Sequence, residues 1–403
     1  MSATELSLKN AQDFKQYQSF PGVHGNPFDV ILHTANRIQS IPAVGFAGIL
    51  GLIAFLPPFQ GWPYHLALLG FFLLDWLLVG LLPLTRRSFG PPQPAVLALS
   101  VLRRVVGFLP VQISVPLQVI GVFLVIYAFW IEPHTLKVTR QSLVSDKLPA
   151  RTRLKVLHLG DLHIERITRR ERLLLQKIQA LKPDVILFSG DILNLSNLRD
   201  PVSWQAAREV LSAWRAPGGV FLVSGSPAVD LEDVLPELLK GLPLTWLQNE
   251  TVELSVQGSP VSLIGISCTH RPFADAETLQ TLLAARSAQE PFTILLYHTP
   301  DLAPESAAAG VDLQLSGHTH GGQVRLPLWG ALVTGSLYGK RFEAGRYSLP
   351  PLTLYVTRGL GMEGLGAPRV RFLCPPEIIL WELSGNSQLP GSIPGNLNLM
   401  EKK

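Results

Sequence analysis

The sequence contains few charged residues and few cysteines. Asp, Glu, Lys and Arg make up only 16% of its 403 residues, whereas 47% of the residues are hydrophobic. This composition is too apolar for an ordinary soluble protein and indicates a membrane part. Lys and Arg form neither a block nor a basic stripe, so nucleic acid is excluded as the expected partner. The two cysteines, Cys268 and Cys374, make no zinc motif, and we expect two buried free thiols, with one disulfide as the alternative.

Three long apolar stretches lie in the first third of the chain, at residues 42–59, 64–84 and 113–131. Each has about the 20 residues that are needed to cross a membrane. Buried helices of a soluble domain are the alternative, but we see no amphipathic helices that would enclose them. We therefore predict a membrane region at residues 41–132 with three transmembrane helices. Its one charged residue within a span, Asp75, is expected to be protonated or bonded inside the helix bundle.

The charges between the predicted spans suggest an orientation. Residues 85–112 carry four arginines and no acidic residue, and positive loops stay in the cytoplasm. Residues 1–40 would then also be cytoplasmic, and everything after residue 132 would lie outside the cytoplasm. We expect residues 133–153 to be a linker and residues 386–403 to be a flexible tail.

Residues 154–385 have the pattern of an α/β domain. Short apolar runs such as LKVLHLG and DVILFSG alternate with segments of helical spacing such as ERLLLQKIQAL. In such folds, ligands bind beyond the carboxyl ends of the strands. Potential metal ligands follow several of these runs, whereas His158 lies inside its run and is expected to be a core residue. The six expected ligands are Asp161, His163, Asp191, His298, His318 and His320.

The residue types in this set favour a particular kind of metal site. Carboxylates together with imidazoles suit Mn, Fe or Zn, and they argue against calcium or a thiolate site. The spacing of Asp161 and His163, two residues apart on an extended segment, lets both side chains face the same ion.

The motifs GDLH (160–163), GD (190–191), a lone histidine after a strand (298) and GHTHGGQ (317–323) resemble those of the calcineurin-like metallophosphoesterases. TRGLG (357–361) and CPPEIIL (374–380) resemble a bacterial membrane-associated branch that includes UDP-2,3-diacylglucosamine pyrophosphatases of lipid A biosynthesis. The resemblance implies two mixed β-sheets sandwiched between helices. It also implies that a first metal is held by Asp161, His163, Asp191 and His320. Asp191 would bridge to a second metal held by His298 and His318, and would position the attacking hydroxide.

One motif of the resembled family is degenerate in this chain. The family has Gly-Asn-His where this sequence has Gly225, Ser226 and Pro227. The Asn would bind the second metal and the His would assist catalysis, so we expect a weaker second site. Asp230 and Glu232 are the candidates to substitute for the His. The resemblance also offers Arg358 for substrate phosphate, with a salt bridge as the alternative.

These observations predict a membrane-anchored, metal-dependent phosphoesterase with two divalent ions. Its substrate would contain a phosphodiester or pyrophosphate bond and would be lipid-linked or nucleotide-linked. The alternative is a catalytically impaired or non-catalytic relative that keeps the metal site for binding.

Overall fold

The computed structural model describes residues 27–57, 60–256, 258–285 and 291–386, in which a helical bundle precedes an α/β domain. Prolines open the first turns of several bundle helices, where the missing N–H costs no hydrogen bond. The last helix continues without a break through residues 127–134. The bundle consists of α1 (Pro27–Ile38), α2 (Ala43–Ala54), α3 (Trp62–Gly80), α4 (Pro92–Val106) and α5 (Val111–Ile126).

Within the described part of the chain, two helices are long and apolar enough to cross a membrane, namely Trp62–Gly80 and Val111–His134. They coincide with the second and third predicted stretches. The first predicted stretch differs, because α2 has only 12 residues. Ile31–Ile38 and Ala43–Ala54 form a pair bent by 106°, which would make a third span if the pair crosses as one unit. The chain therefore has the elements of a membrane anchor.

Helix α4 lies in a stretch that the sequence analysis treated as a loop. Its Arg103 is 5% exposed and binds Asp75 of α3 through both carboxylate oxygens, at 2.5 and 2.8 Å. Arg103 also donates to the backbone oxygen of Gln118 in α5 at 2.8 Å. Asp75 is thus bonded within the bundle, one of the two expected states. A buried pair of this kind satisfies charges that would each be costly alone.

Helices α3 and α5 run parallel. The sequence analysis predicted them as successive spans joined by a loop, which would make them antiparallel, and this prediction is corrected. Near their starts, the hydroxyls of Tyr64 and Ser114 are 2.5 Å apart. Near their ends, the Trp130 indole donates to the Leu78 oxygen at 3.2 Å. Two successive parallel helices require a returning segment between them, and α4 is that segment.

The loop between α3 and α4 consequently lies against the α/β domain. Arg87 donates to the Trp130 oxygen at 2.6 Å, and the Phe89 amide donates to Glu165 of the domain at 3.2 Å. At the other end of the bundle, the Gln60 amide donates to the Leu109 oxygen at 2.8 Å. Residues 85–91 therefore lie at the same end of the bundle as the domain, whereas residues 107–112 lie at the other end, so the predicted single loop at residues 85–112 is corrected to a loop, helix α4 and a second loop.

The domain contains two six-stranded mixed sheets, as the resemblance implied. The first sheet has the order β1-β14-β2-β3-β4-β5 and the second has the order β12-β13-β9-β8-β7-β6, while β10 and β11 form a separate hairpin. The strands are β1 (Lys137–Ser145), β2 (Arg153–Leu159), β3 (Val185–Phe188), β4 (Val220–Leu222), β5 (Thr245–Trp246), β6 (Glu250–Val256), β7 (Ser259–Gly265), β8 (Phe292–Leu296), β9 (Leu313–Ser316), β10 (Arg325–Leu326), β11 (Gly330–Ala331), β12 (Gly345–Leu349), β13 (Leu352–Val356) and β14 (Glu377–Gly385).

The two sheets pack face to face through buried aliphatic side chains, among them Val156 and Leu187 of the first sheet and Leu263 and Ile294 of the second. Helices cover both outer faces, so the fold is a four-layer sandwich. Cys268 and Cys374 are buried and free, as expected. The helices of the domain are α6 (Arg169–Leu181), α7 (Pro201–Ser212), α8 (Leu235–Leu239), α9 (Pro272–Ala284) and α10 (Ala303–Ala308).

The predicted linker at residues 133–153 is also corrected. Strand β1 occupies Lys137–Ser145 and pairs in parallel with β14, from Lys137 opposite Glu377 to Ser145 opposite Gly385. Polar residues suit this strand because it is the edge of the sheet and much of it remains exposed. The predicted tail lies outside the described residues from residue 387 onward.

Candidate metal centre

The expected ligands lie on tight loops at the carboxyl ends of strands. Asp161 follows β2, Asp191 follows β3, His298 follows β8 and His318 follows β9. Most of these side chains sit on left-handed backbone, which is unfavourable for residues other than glycine and concentrates at functional sites. The residues with positive φ are Asp161 (50°), His163 (41°), Asp191 (63°), His318 (70°) and His320 (52°).

A first cluster is formed by Asp161, His163 and His320. Their ligand atoms all lie within 4.8 Å of one another, and all three residues are buried. The Nε2 atoms of His163 and His320 face each other at 3.0 Å. Oδ2 of Asp161 is buried, and no described residue gives it a hydrogen bond. An unpartnered buried carboxylate oxygen is costly, and a divalent cation would satisfy it. We call these three residues the first cluster.

A second cluster contains His298 and His318, with Ser226 beside them. The Ser226 hydroxyl lies 3.1 Å from His298 Nε2 and 3.5 Å from His318 Nδ1. His298 donates from Nδ1 to the Ser189 carbonyl at 2.7 Å, which turns Nε2 toward Ser226 and Asp191. Burial opposes the charged ring of His298, but the neighbouring Asp191 raises the pKa of this histidine to about 9, so binding of an ion at Nε2 would displace a proton. Burial, together with the charge of His298, lowers the pKa of His318 to about 3, so the His318 imidazole is neutral. We call these two histidines, with His270 described below, the second cluster.

Asp191 lies between the two clusters. Its Oδ2 is 3.4 Å from His163 Nε2 and also 3.4 Å from His298 Nε2. Burial opposes ionisation of Asp191, but the neighbouring His298 outweighs it and holds the pKa of this carboxyl well below its ordinary value. One ionised oxygen is therefore available to both sides, which is the geometry of a bridging ligand.

Asp230 anchors the backbone of the Asp191 loop by hydrogen bonds. Its carboxylate accepts from the backbone amides of Asp191 at 2.9 Å, Ile192 at 3.1 Å and Gly225 at 2.7 Å. Burial, and then the charge of Asp191, raise the pKa of Asp230 to about 6. Because its oxygens are occupied by the backbone, Asp230 does not take the place of the family histidine. Glu232 is exposed and does not replace it either.

The loop with the degenerate motif approaches Asp191 closely. The Ser226 amide donates to Asp191 Oδ1 at 2.7 Å, while Pro227 is exposed. A side chain at position 225 would collide with the Asp191 carboxylate and backbone, so only glycine fits there. Ser226 thus stands where the family asparagine would reach the second metal.

Two other expected residues lie apart from the clusters. The Arg358 guanidinium pairs with Glu377, which is 1% exposed, and the Arg358 amide donates to the same carboxylate at 3.0 Å. The salt-bridge alternative therefore describes Arg358 in this structure. His158 is fully buried in β2 beside the Ser189 hydroxyl at 3.2 Å, as expected for a core residue.

His270 is a member of the second cluster that the sequence analysis missed. Its ligand atoms lie within 4.8 Å of those of His298 and His318. It follows β7, but five residues beyond Gly265 rather than directly after the strand. The weak indication in the sequence was that PVSLIGI, like the other apolar runs, is followed by a potential ligand.

Comparison with known proteins agrees with this geometry. Residues 154–322 match the family model described as calcineurin-like phosphoesterase. The chain is 32% identical over 270 residues to the uncharacterized metallophosphoesterase YkuE of Bacillus subtilis, covering 65% of this chain and 90% of the relative. The chain belongs to the calcineurin-like metallophosphoesterases. Members of this family are metal-dependent hydrolases, and the carboxylates and imidazoles of the two clusters fit divalent ions.

Two further metallophosphoesterases have names that state an activity. Phosphodiesterase YaeI of Escherichia coli is 28% identical, covering 64% of this chain and 92% of the relative. UDP-2,3-diacylglucosamine pyrophosphatase LpxG of Chlamydia trachomatis is 25% identical, covering 63% of this chain and 91% of the relative.

Proposed function

We propose that this metallophosphoesterase is a membrane-anchored enzyme that uses two divalent ions, Mn, Fe or Zn, to hydrolyse a phosphodiester or pyrophosphate bond. The observation that carries the proposal is the position of Asp191, whose Oδ2 is equally distant from a histidine of each cluster. Two bound ions supply Lewis acidity, a nucleophile at neutral pH and a clamp for both oxygens at phosphorus. A non-catalytic relative would have no need of this shared oxygen, and we do not favour it.

The site residues fall into those that would bind the ions and those that position the binding residues. Asp161, His163 and His320 would hold one ion, and His298 and His318 would hold the other, with Asp191 shared. The Ser189 carbonyl turns Nε2 of His298 toward Asp191. Asp230 keeps Asp191 and the 225–226 loop in register through its three backbone hydrogen bonds.

The test is metal analysis together with hydrolysis of bis-(p-nitrophenyl) phosphate by the full chain in detergent. Asp191→Asn should lose bound metal and reduce kcat/KM on the order of 10³-fold, since metal assistance is worth several kcal/mol. Asp233→Asn is the matched control, because that carboxylate is exposed and pairs only with Arg199 at the surface. Hydrolysis by Asp191→Asn at the wild-type rate would refute the proposal.

We further propose that the anchor is multi-pass and that the domain lies on the cytoplasmic side. Arg86 and Arg87 are in the loop beside the domain, and positive loops remain in the cytoplasm. A green fluorescent protein fused after Lys403 should fluoresce, and alkaline phosphatase fused at the same position should be inactive. Active alkaline phosphatase would place the domain outside and overturn this orientation.

An apolar hairpin supports a lipid-linked substrate. Residues 325–333 follow the GHTHGGQ motif, and Leu328 and Trp329 are fully or largely exposed. The Arg325 amide donates to the Phe372 oxygen at 2.9 Å, and the Phe372 ring meets Tyr127 of the last bundle helix at 6.0 Å. The hairpin is therefore linked through Phe372 to the last bundle helix, and in the chain it directly follows the loop that carries His318 and His320.

The composition of this hairpin suits the surface of a bilayer. Lys340 lies 4.9 Å from the Trp329 ring centre, and a tryptophan next to a cation is typical of lipid headgroup regions. The name of LpxG, a pyrophosphatase of a diacylated sugar nucleotide, is consistent with a lipid-linked phosphate as substrate.

Leu328→Ser should distinguish membrane-bound from soluble substrates. We expect a loss of about tenfold or more in the hydrolysis of a lipid pyrophosphate in mixed micelles, because about 1.5 to 3 kcal/mol of apolar burial by this side chain is removed. Hydrolysis of bis-(p-nitrophenyl) phosphate should not change. Val144→Ser on β1, where Val144 is 61% exposed, is the matched control. Equal losses on both substrates would contradict a lipid contact.

A further inference from the structure

The second cluster lacks the asparagine that the family motif supplies, yet it contains an additional histidine. We propose that His270 is a protein ligand of the second metal ion and takes the place left by that asparagine. This inference rests on the proposed two-metal function, and it adds a residue that the motifs do not contain.

The positions of the rings carry the proposal. The ring centre of His270 lies 5.1 Å from that of His318 and 6.5 Å from that of His298, and the rings of His270 and His298 are nearly parallel, at 7°. The ligand atoms of the three histidines lie within 4.8 Å of one another. Imidazole nitrogens that converge in this way can share one ion.

His270 is also buried with unsatisfied ring nitrogens. It is 5% exposed, and neither of its ring nitrogens has a hydrogen-bond partner among the residues that the structure describes. Buried polar groups in native proteins are nearly always bonded, and an exception requires an explanation. A cation held by one of the nitrogens provides that explanation, and it agrees with the neutral ring that burial favours.

A hydrogen-bond network around Asp275 anchors Thr269, the residue before this histidine. Thr269 donates from its hydroxyl to Asp275 at 2.6 Å and from its amide at 3.1 Å. The Tyr297 hydroxyl donates to the same carboxylate at 2.6 Å, next to the ligand His298. The backbone of His270 is left-handed, at φ 56°. A strained residue beside an anchored one is expected where a side chain must reach a fixed point.

The replacement changes the chemistry of the second site. The family set contains an amide oxygen, whereas the set proposed here has three imidazoles and the Asp191 carboxylate. Imidazole suits Zn and Fe, while carbonyl and carboxylate oxygens suit Mn. We therefore expect the second site to discriminate more strongly for Zn over Mn than the first site does. We also expect the two sites to be closer in affinity than the motifs alone predict.

The experiment counts metal ions per chain after dialysis of the full chain in detergent, loaded with Zn²⁺ alone or with Mn²⁺ alone. Wild type should retain two zinc ions, and His270→Asn should bind the second at least about tenfold more weakly. His134→Asn is the matched control, because His134 is also buried with neither ring nitrogen bonded but lies outside both clusters. The His134→Asn chain should retain two zinc ions.

A rescue variant separates loss of a ligand from loss of structure. Ser226→Asn in the His270→Asn chain should restore the second ion, because position 226 already reaches His298. Unchanged affinity of the second ion in His270→Asn would overturn the role of His270, and so would failure of the rescue. A wild-type chain that retains no metal would instead refute the two-metal function itself.

Discussion

The two halves of the metal centre are built in different ways. The first cluster takes its three residues from two motifs, and their spacing in the sequence is enough to identify them. The second cluster combines His298 and His318 with Ser226, which departs from the motif, and with His270, which belongs to no motif. The difference shows that a lost motif residue is weak evidence for a lost site. What matters is which side chains the fold brings to the same point.

The strongest test of this contrast is to remove one histidine from each half. His163→Asn should abolish the first ion and reduce kcat/KM on the order of 10³-fold, because metal assistance is worth several kcal/mol and nothing nearby replaces His163. His318→Asn should lose the second ion and spare the first. Metal analysis and hydrolysis of a soluble diester measure both effects. If either variant loses both ions equally, the two halves are not separate sites.

A smaller effect is expected from the residue that supports both halves. Asp230→Asn removes a charged acceptor of three backbone amides, and hydrogen bonds to charged groups contribute about 1.5 to 3 kcal/mol each. We expect roughly tenfold lower kcat, weaker binding of both ions, and a melting temperature lower by several degrees. Thermal melts with and without metal measure the last effect. The exposed Asp233→Asn should match wild type, and a wild-type result for Asp230→Asn would exclude the positioning role.

The smallest effect is expected at Ser226. If His270 supplies the missing ligand, Ser226→Ala removes only the ordinary hydrogen bonds of the hydroxyl to His298, His318 and Asp191, and we expect about a fivefold loss in the affinity of the second ion. Isothermal titration of the metal-free chain measures this affinity. A loss beyond about tenfold would identify the Ser226 hydroxyl as the ligand and would transfer the role from His270.

The sequence predicted the centre of the domain better than its edges. Buried strands such as Val185–Phe188 are continuous apolar runs, and their composition alone identifies them. Strand β1 was not predicted, because about half of its residues face solvent at the sheet edge and its sequence has the composition of a polar linker. His270 was not predicted because it lies five residues after Gly265, and the hydrogen bonds of Thr269 and Tyr297 to Asp275, which anchor its neighbour, are not visible in the sequence.

Helix α4 was not predicted either, for a related reason. Two arginines near its end suggested a cytoplasmic loop, whereas Arg103 is neutralised by Asp75 and Arg104 is equally buried. Hydropathy assigns a cost to each charge separately, and it cannot detect that two charges from different helices cancel. The orientation inferred from four loop arginines therefore counted two that lie inside the bundle, and it stays a prediction.

The pairing of Asp75 with Arg103 has a consequence for how the protein is made. In the proposed membrane anchor, helix α3 leaves the ribosome before α4, so its carboxyl group would reach the bilayer before the guanidinium that balances it. A lone charge there is costly, and a helix that carries one is held back at the insertion machinery or in water. The anchor is therefore expected to enter the membrane as a hairpin, with α3 and α4 released together. A chain truncated between Gly80 and Pro92 would be a poor substrate for insertion, although it contains the more apolar of the two helices.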